Sequence, residues 1–172
     1  YMDMGMILGD TPAKYFTKSV FPVGAVTGQA LRQDYSVANY ACRGCPIGCG
    51  RDLKEFKPGV DVDGPEYETT VAFGPLCMNT DFDTVIEANH LCNVHGIDTI
   101  SAGVSVAYAI YLYEQGVLTK DQVGFELKWG DGACILKLVE MIVNQEGIGE
   151  LLSKGTLAMA RELGRDEGEA AQ

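Results

Sequence analysis

Three cysteines stand close together in the segment Cys42-Arg-Gly-Cys45-Pro-Ile-Gly-Cys49. The spacing C-x2-C-x3-C, with glycines and a proline between the thiols, predicts a tight loop that presents several sulfurs to one centre. Iron–sulfur ligation fits this pattern best. Zinc is the first alternative, because Cys-x2-Cys is half of a common zinc site. The second alternative is a disulfide between two of these cysteines, with the third left as a free thiol.

A thiolate-bound cluster usually has four protein ligands, and the loop supplies three of them. The other cysteines lie in apolar stretches with helical spacing, where cysteine commonly packs as a small hydrophobe. These are Cys77, Cys92 and Cys134. We therefore expect the fourth ligand to lie outside this chain. The chain also begins with Tyr1 rather than Met, and we expect it to be a segment of a longer protein.

Acidic side chains cluster in residues 61–68, Asp-Val-Asp-Gly-Pro-Glu-Tyr-Glu, where Pro65 predicts a helix start. Carboxylates at such a start commonly satisfy free backbone N–H groups and complement the helix dipole. Glu68 differs because apolar residues follow it, so we expect its carboxyl to face the packed side. A carboxyl in an apolar pocket has a raised pKa and can exchange protons near neutral pH.

Two further polar groups follow along the chain. Glu87 and His90 are three positions apart, so they share one face of a predicted helix. By themselves, the two side chains predict a hydrogen bond at the surface. If a two-fold axis brought two such helix faces together, a metal between them could bind two carboxylates and two imidazoles. In residues 93–101, Gly96 ends one predicted helix and Asp98 begins the next. That corner is either an ordinary stop and cap or a binding place for a polar ligand.

The elements that position these groups are mostly helices. We predict an all-α, multihelical domain with a cysteine-rich loop and at most a short β-hairpin, in residues 52–63. Residues 1–164 form the single helical domain, and residues 165–172 form a polar C-terminal tail. One predicted helix begins at Thr11-Pro12. Further predicted helices cover residues 25–34, 65–76, 131–144 and 149–163.

Composition excludes two classes of partner. The net charge of −11 argues against nucleic acid, which needs clustered Lys and Arg. The longest uncharged apolar stretch, residues 99–113, is shorter than the roughly 18 residues that span a bilayer, so we expect no membrane association. The sequence shows no secretory signal, and its cysteines indicate a reducing compartment. With 172 residues, 47% of them hydrophobic, the chain can bury one core.

Four segments in register resemble one family, the tungsten-dependent aldehyde:ferredoxin oxidoreductases. They are residues 42–51, 64–68, 87–90 and 96–101. The resemblance extends from about Thr11 to Gly164, and the order and spacing of the segments agree throughout. Enzymes of this family have three domains, and the chain resembles the middle, helical one.

The resemblance implies specific cofactors and residue roles. Cys42, Cys45 and Cys49 match three ligands of a [4Fe–4S] cluster whose fourth cysteine lies in the next domain. Glu68 matches a glutamate beside the tungsten that transfers protons. Glu87 and His90 match the Glu-x-x-His motif that serves a metal, a bridging iron, at a subunit interface in some members.

The corner matches a D-x-x-G-L-D segment that binds one of the two pterins holding the tungsten. The matching residues here are Asn93, Gly96, Ile97 and Asp98. Asn93 replaces the first Asp of the family pattern, and Ile97 replaces its Leu. Because Asn adds an NH₂ donor and keeps one acceptor, the pterin contact is altered rather than lost.

The implied activity is oxidation of an aldehyde to a carboxylic acid, with electrons passed through the tungstopterin and the cluster to ferredoxin. The implied partners are ferredoxin, the aldehyde, the N- and C-terminal domains and a second copy in a homodimer. The implied location is the cytoplasm of an anaerobic prokaryote. Whether the chain alone binds either cofactor stays open. The alternatives are a standalone iron–sulfur or zinc module and a tungstopterin relative with a non-aldehyde substrate.

Overall fold

The computed structural model describes residues 2–170. Its first half contains α1 (Met2–Leu8), α2 (Gly28–Asp34), β1 (Ser36–Tyr40), β2 (Gly50–Lys57) and β3 (Val60–Asp63). Its second half contains α3 (Tyr67–Phe73), α4 (Phe82–His95), α5 (Thr99–Glu114), α6 (Lys120–Val123), α7 (Gly132–Asn144), α8 (Gly149–Leu152) and α9 (Thr156–Glu162). Short 3-10 turns cover Val23–Val26, Pro75–Cys77 and Glu167–Glu169.

The fold is mostly helical with a short hairpin, as predicted, but the all-α class requires a correction. β2 and β3 form the hairpin, and β1 adds a third antiparallel strand in the order β1-β2-β3. Val37 of β1 pairs with Leu53, which also pairs with Val62 of β3. Most residues of β1 are exposed. Its sequence, Ser-Val-Ala-Asn-Tyr, lacks the alternation of apolar and polar residues that predicts a strand. Pairing with β2, rather than local preference, therefore determines this strand.

The helix predicted to begin at Thr11-Pro12 is wrong. Residues 13–18 instead form a tight turn, in which Ala13 and Lys18 exchange backbone hydrogen bonds of 2.8 and 3.1 Å. Residues 14–16 have positive φ angles of 48°, 45° and 62°. Each such residue costs about 1–3 kcal/mol and persists only where the surrounding structure imposes it. Here the first two N–H groups donate at 3.0 Å to the carbonyls of Pro75 and Leu76.

Two predicted helices are each divided. The helix predicted over residues 65–76 ends at Phe73, because Gly74 has φ −95° and ψ −101° and precedes a proline. The helix predicted over residues 149–163 becomes α8 and α9, which are separated at Gly155 with φ 84°. Both breaks therefore occur where a glycine takes a conformation that an α-helix excludes.

The core is built around α5, which contacts α3, α4, α7, α8 and α9. Gly103 allows α5 to approach α3 unusually closely. A Cβ atom at this position would lie 2.6 Å from the Cβ of Ala72, so any side chain would push the helices apart. The end of α3 therefore packs directly against α5.

The described part of the predicted C-terminal tail packs against the N-terminal turn. The Tyr15 hydroxyl donates to the backbone carbonyl of Glu169 at 2.7 Å, and Arg165 forms a salt bridge with the Glu169 carboxylate at 2.7 Å. Among residues 2–170, no helix is long and apolar enough to cross a bilayer.

Candidate functional site

The three clustered cysteines lie on the connection between β1 and β2. Residues 41–49 contain no helix or strand, and Gly44 and Gly48 shape the turn with φ angles of 78° and 63°. Cys42 and Cys49 are exposed and Cys45 is half-buried, and all are free thiols. The sheet therefore presents a loop with three accessible thiols between two paired strand ends.

The predicted convergence of the three sulfurs on one centre is not observed. Within residues 2–170, no three His, Cys, Asp or Glu side chains are grouped closely enough to hold a metal ion. Free thiols do not attract one another strongly, so the loop backbone alone sets their positions. The sequence therefore locates the loop that carries the clustered cysteines but does not fix the positions of their sulfurs.

The other cysteines are buried, as predicted. They are Cys77, Cys92 and Cys134. The Cys77 thiol donates to the carbonyl of Ala72 at 3.3 Å. Burial, with a smaller contribution from the Asp98 charge, raises the pKa of the Cys92 thiol to about 11. Because metals bind thiolates, this environment favours a packing role for Cys92.

Glu68 lies in the first turn of α3, but the expectation that it faces the packed side is wrong. The five residues after it, 69–73, are all buried, whereas Glu68 is exposed. Residues 69–73 occupy the sides of α3 that pack against the rest of the protein, and Glu68 lies on the side that faces solvent. Within the described part of the chain, no hydrogen bond or salt bridge engages its carboxylate.

The polar corner between α4 and α5 forms as predicted. Gly96 ends α4 with φ 68°, and the Asp98 side chain caps α5 by accepting a 2.7 Å hydrogen bond from the Ser101 N–H. Hydrogen bonds from the side chain and backbone of Ser101 hold the Asp98 pKa below its ordinary value of 3.8. Asn93 is exposed at the end of α4, and its amide lies 3.5 Å from the Asn89 oxygen. The corner thus presents polar groups to solvent.

A hydrogen bond joins the Glu68 helix to this corner. The hydroxyls of Thr69 and Thr99 lie 2.7 Å apart, and each is the direct sequence neighbour of Glu68 or Asp98. The structure therefore brings together two of the predicted groups that are 30 residues apart in sequence.

Glu87 and His90 share a face of α4, as the spacing predicts, but Glu87 has a cationic partner. Its carboxylate forms a 2.6 Å salt bridge with Lys57 at the end of β2. Nearby, the Asn89 amide donates to the carbonyl of Asp63 at 2.7 Å, so the hairpin is fastened to α4 at two points. Sequence spacing could not reveal Lys57, because sheet packing alone brings it to α4.

The motif reading missed Arg51 as a functional candidate. Its side chain shares the core-facing side of β2 with Leu53, since alternate residues of a strand face the same way. The Arg51 Nε atom is buried and has no hydrogen-bond partner among the residues that the structure describes. The position of Arg51 two residues from the buried Leu53 was the available sequence signal.

The Asp98 cap leads to a stability prediction. Asp98→Ala should lower the free energy of unfolding by about 1 kcal/mol at neutral pH, because the α5 N-terminus loses its acceptor. The lowered pKa means that the carboxylate's contribution is present above pH 3.8 and is lost as pH falls through the folded-state pKa. Urea unfolding at several pH values should show the difference from the native chain shrinking in acid. Asp98→Asn keeps an acceptor and should cost less; a pH-independent Ala effect would contradict the assignment.

The structure thus describes an exposed cysteine loop and a polar helix corner on one mostly helical unit. Comparison with known families is more specific. The model described as "Aldehyde ferredoxin oxidoreductase, domains 2 & 3" matches residues 1–172. The chain belongs to the aldehyde ferredoxin oxidoreductase family, as the resemblance implied.

Curated relatives agree with this assignment. The chain is 36% identical over 159 residues to the tungsten-containing aldehyde ferredoxin oxidoreductase of Pyrococcus furiosus, covering 91% of the chain. It is 37% identical to the enzyme of the same name from Thermococcus kodakarensis. It is also 33% identical, over 75% of the chain, to the P. furiosus "Aliphatic sulfonate oxidoreductase, WOR-like subunit". The chain spans 26% of the length of the first two relatives.

A solved structure shares the fold. It is the active site complex BamBC of benzoyl coenzyme A reductase with 1,5-dienoyl-CoA, which superposes with a TM-score of 0.74 and 23% identity. The match covers 92% of this chain and 24% of that chain. At this identity, the likeness establishes the architecture alone.

Proposed function

We propose that the chain is the middle, helical domain of a tungsten-dependent oxidoreductase that converts aldehydes to carboxylic acids and passes electrons to ferredoxin. The observation that supports this best is the Thr69–Thr99 hydrogen bond. It places the Glu68 helix against the Asp98 corner, two groups that the family resemblance assigns to one tungsten site. Residues 1–164 would form this domain.

The cysteine loop suits a [4Fe–4S] cluster in its donor chemistry. When bound, the tungsten bis-pterin supplies aldehyde oxidation and the cluster supplies one-electron transfer towards ferredoxin. Cys42, Cys45 and Cys49 would hold the cluster through their thiolates, with a fourth cysteine from another domain. Gly44 lies in open space, and a Cβ at Gly48 would meet only ordinary contacts at 3.9 and 4.0 Å, so the loop backbone can follow a bulky inorganic group.

The polar corner suits a pterin, which presents both hydrogen-bond donors and acceptors. Asn93 can donate its amide N–H, and the exposed Asp98 retains a carboxylate oxygen beside the one that accepts from Ser101. Gly96 and Ile97 shape the turn between the two helices. These residues would bind and orient the ligand without taking part in its redox chemistry.

Glu68 would hold or move a proton at its carboxylate oxygens. Its exposure and its lack of a cationic partner within residues 2–170 leave both oxygens free to face substrate bound at the domain boundary. Because α3 is fixed to α5 at Thr69, the helix turn that carries Glu68 keeps a constant position relative to the corner. This combination of a free carboxylate and a fixed helix is what a proton-transfer group needs.

A bridging iron at Glu87 and His90 fits the structure less well. The Lys57 ammonium already neutralises the Glu87 carboxylate at 2.6 Å, so an iron would have to displace it. The proposal therefore does not depend on this metal. A homodimer through α4 remains compatible with the metal-free pair.

Metal analysis tests the proposal. The natural polypeptide that contains this chain, purified without oxygen, should hold iron, acid-labile sulfide and tungsten, and it should reduce ferredoxin with an aldehyde. Cys45→Ser should lower iron and sulfide strongly, because an exposed thiolate ligand is lost. Zinc without sulfide would instead support the standalone zinc module, and iron and sulfide without tungsten would support the standalone iron–sulfur module.

A matched cysteine variant provides the control. Cys134→Ser should leave iron and sulfide unchanged, because this buried thiol already donates to the carbonyl of Glu126 at 3.2 Å and a serine hydroxyl can do the same. Equal loss of iron in the two variants would show that the loop has no special role in binding.

One relative supports a second candidate function. The similarity to the "Aliphatic sulfonate oxidoreductase, WOR-like subunit" favours a tungstopterin enzyme that acts on a sulfonate. An assay of the same purified protein with aldehydes and with aliphatic sulfonates separates the two candidates. Ferredoxin would remain the proposed electron acceptor, in the cytoplasm of an anaerobic prokaryote.

A further inference from the structure

Arg51 is a largely buried cation at the base of the cysteine loop. Loop residues 41–49 leave the sheet between the paired residues Tyr40 and Gly50, and Arg51 follows directly in β2. Its backbone carbonyl accepts from the N–H of Gly64 at 2.6 Å, so the residue lies where β3 leads into α3. The side chain is only 21% exposed. Arg51 thus follows the cysteine loop directly in sequence, and its guanidinium lies beside Glu66 at the start of the helix that carries Glu68.

The charge of this guanidinium is poorly matched by the residues around it. Its nearest carboxylate belongs to Glu66, which is 57% exposed and lies 3.5 Å from the Arg51 Nη2 atom. That separation exceeds a normal charge-assisted hydrogen bond of about 2.7–2.9 Å. The Nε atom is buried without a partner in the described residues. Arginine carries five N–H donors, so much of its binding capacity is unused.

We infer that the missing counter-charge of Arg51 is the thiolate-bound cluster of the neighbouring loop, and that Arg51 raises the reduction potential of this cluster. The inference rests on the proposed iron–sulfur function of Cys42, Cys45 and Cys49. The Arg51 side chain is only 21% exposed and the Glu66 carboxylate lies 3.5 Å from it, so an anion bound by the neighbouring loop would complete its charge pairing.

Electrostatics gives the sign of the effect. Uptake of one electron from the reductant makes the thiolate-bound centre more negative by one charge. A nearby positive charge in a partly buried environment stabilises that reduced form more than the oxidised form. Net charge and hydrogen bonds to the sulfurs are the levers that set cluster potentials. Removal of the Arg51 charge should therefore make the potential more negative.

The test is a redox titration, followed by electron paramagnetic resonance, of the natural polypeptide with its cluster bound. Arg51→Gln should shift the midpoint potential to a more negative value, whereas Arg51→Lys, which keeps the charge, should shift it less. Arg43→Gln is the matched control, because it removes an equal charge from the same loop at an exposed position. Solvent screens that charge, so its effect should be smaller and should fall further with added salt.

Iron content distinguishes a failure of the proposed iron–sulfur function from a failure of the role of Arg51. Absence of iron from the native protein would overturn the proposed function. A normal iron content in Arg51→Gln with an unchanged potential, or a shift no larger than that of Arg43→Gln, would overturn the role of Arg51. If Arg51→Gln does not retain the cluster, Arg51→Lys decides. A native potential in Arg51→Lys supports the charge effect, and a large shift contradicts it.

Discussion

Glu68→Gln in the natural polypeptide is expected to lower aldehyde turnover by roughly 10²-fold or more, the usual scale for loss of a general acid or base. Glutamine preserves the size and hydrogen bonding of the side chain but cannot hold and release the proton. Glu68 forms no salt bridge within residues 2–170, so the substitution breaks no ion pair of the fold. Steady-state kinetics over a range of pH, with iron and tungsten measured in parallel, provides the test.

An exposed glutamate on α7 supplies the control for this variant. Glu140→Gln removes an equal charge from a helix surface and should leave turnover unchanged. Near-native activity of Glu68→Gln with full metal content would end the catalytic assignment. Glu68 would then be one of the acidic residues that stabilise a helix start.

Phe73→Ala should lower the free energy of unfolding by about 3–5 kcal/mol, the range for removing a buried aromatic ring. Phe73 is 0% exposed, at the end of α3 and one residue after the contact between Ala72 and α5. Removing its ring leaves a cavity in the part of the core that holds α3 in place. Urea or thermal unfolding of the 172-residue chain measures this loss.

Phe16→Ala is the comparison for the same chemical change at the surface. Phe16 is 51% exposed, and phenylalanine and alanine at this position would have the same left-handed backbone conformation. The free energy of unfolding should therefore fall by less than about 1 kcal/mol. Similar losses for the two variants would show that Phe73 does not occupy a tightly packed position.

Helix ends were predictable where neighbouring residues alone determine them. Asp81 caps α4 through the Asp83 N–H, Gly96 ends the same helix, and residues 119–122 form a capping box. Each signal depends on contacts no more than a few residues apart. The hairpin turn at Pro58-Gly59 was predictable for the same reason.

Features that depend on distant contacts could not be predicted. The turn at residues 13–18 looks like a helix start in sequence, but the carbonyls of Pro75 and Leu76 hold it in a left-handed conformation. The strand β1 exists because β2 pairs with it. Lys57 reaches Glu87 only after the hairpin has packed on α4.

In the candidate site, too, features that depend on neighbouring residues were predictable, and features that depend on distant contacts were not. Motif spacing identified the cysteine loop and the Gly96–Asp98 corner, because both depend on short segments. It failed for the orientation of Glu68, since the inner faces of α3 were filled by residues 69–73. It also assigned no role to Arg51, whose importance depends on what surrounds its guanidinium.

The close approach of α3 and α5 at Gly103 has a consequence for how this protein can evolve. Most packed positions tolerate several side chains of similar size. At Gly103 even a single Cβ atom would lie 2.6 Å from the Cβ of Ala72, so this contact tolerates only glycine. The spacing between α3 and α5 is therefore insulated from ordinary sequence drift. Descendants of this chain can diversify in the loops and the hairpin while inheriting the same spacing of the two helices that begin beside Glu68 and Asp98.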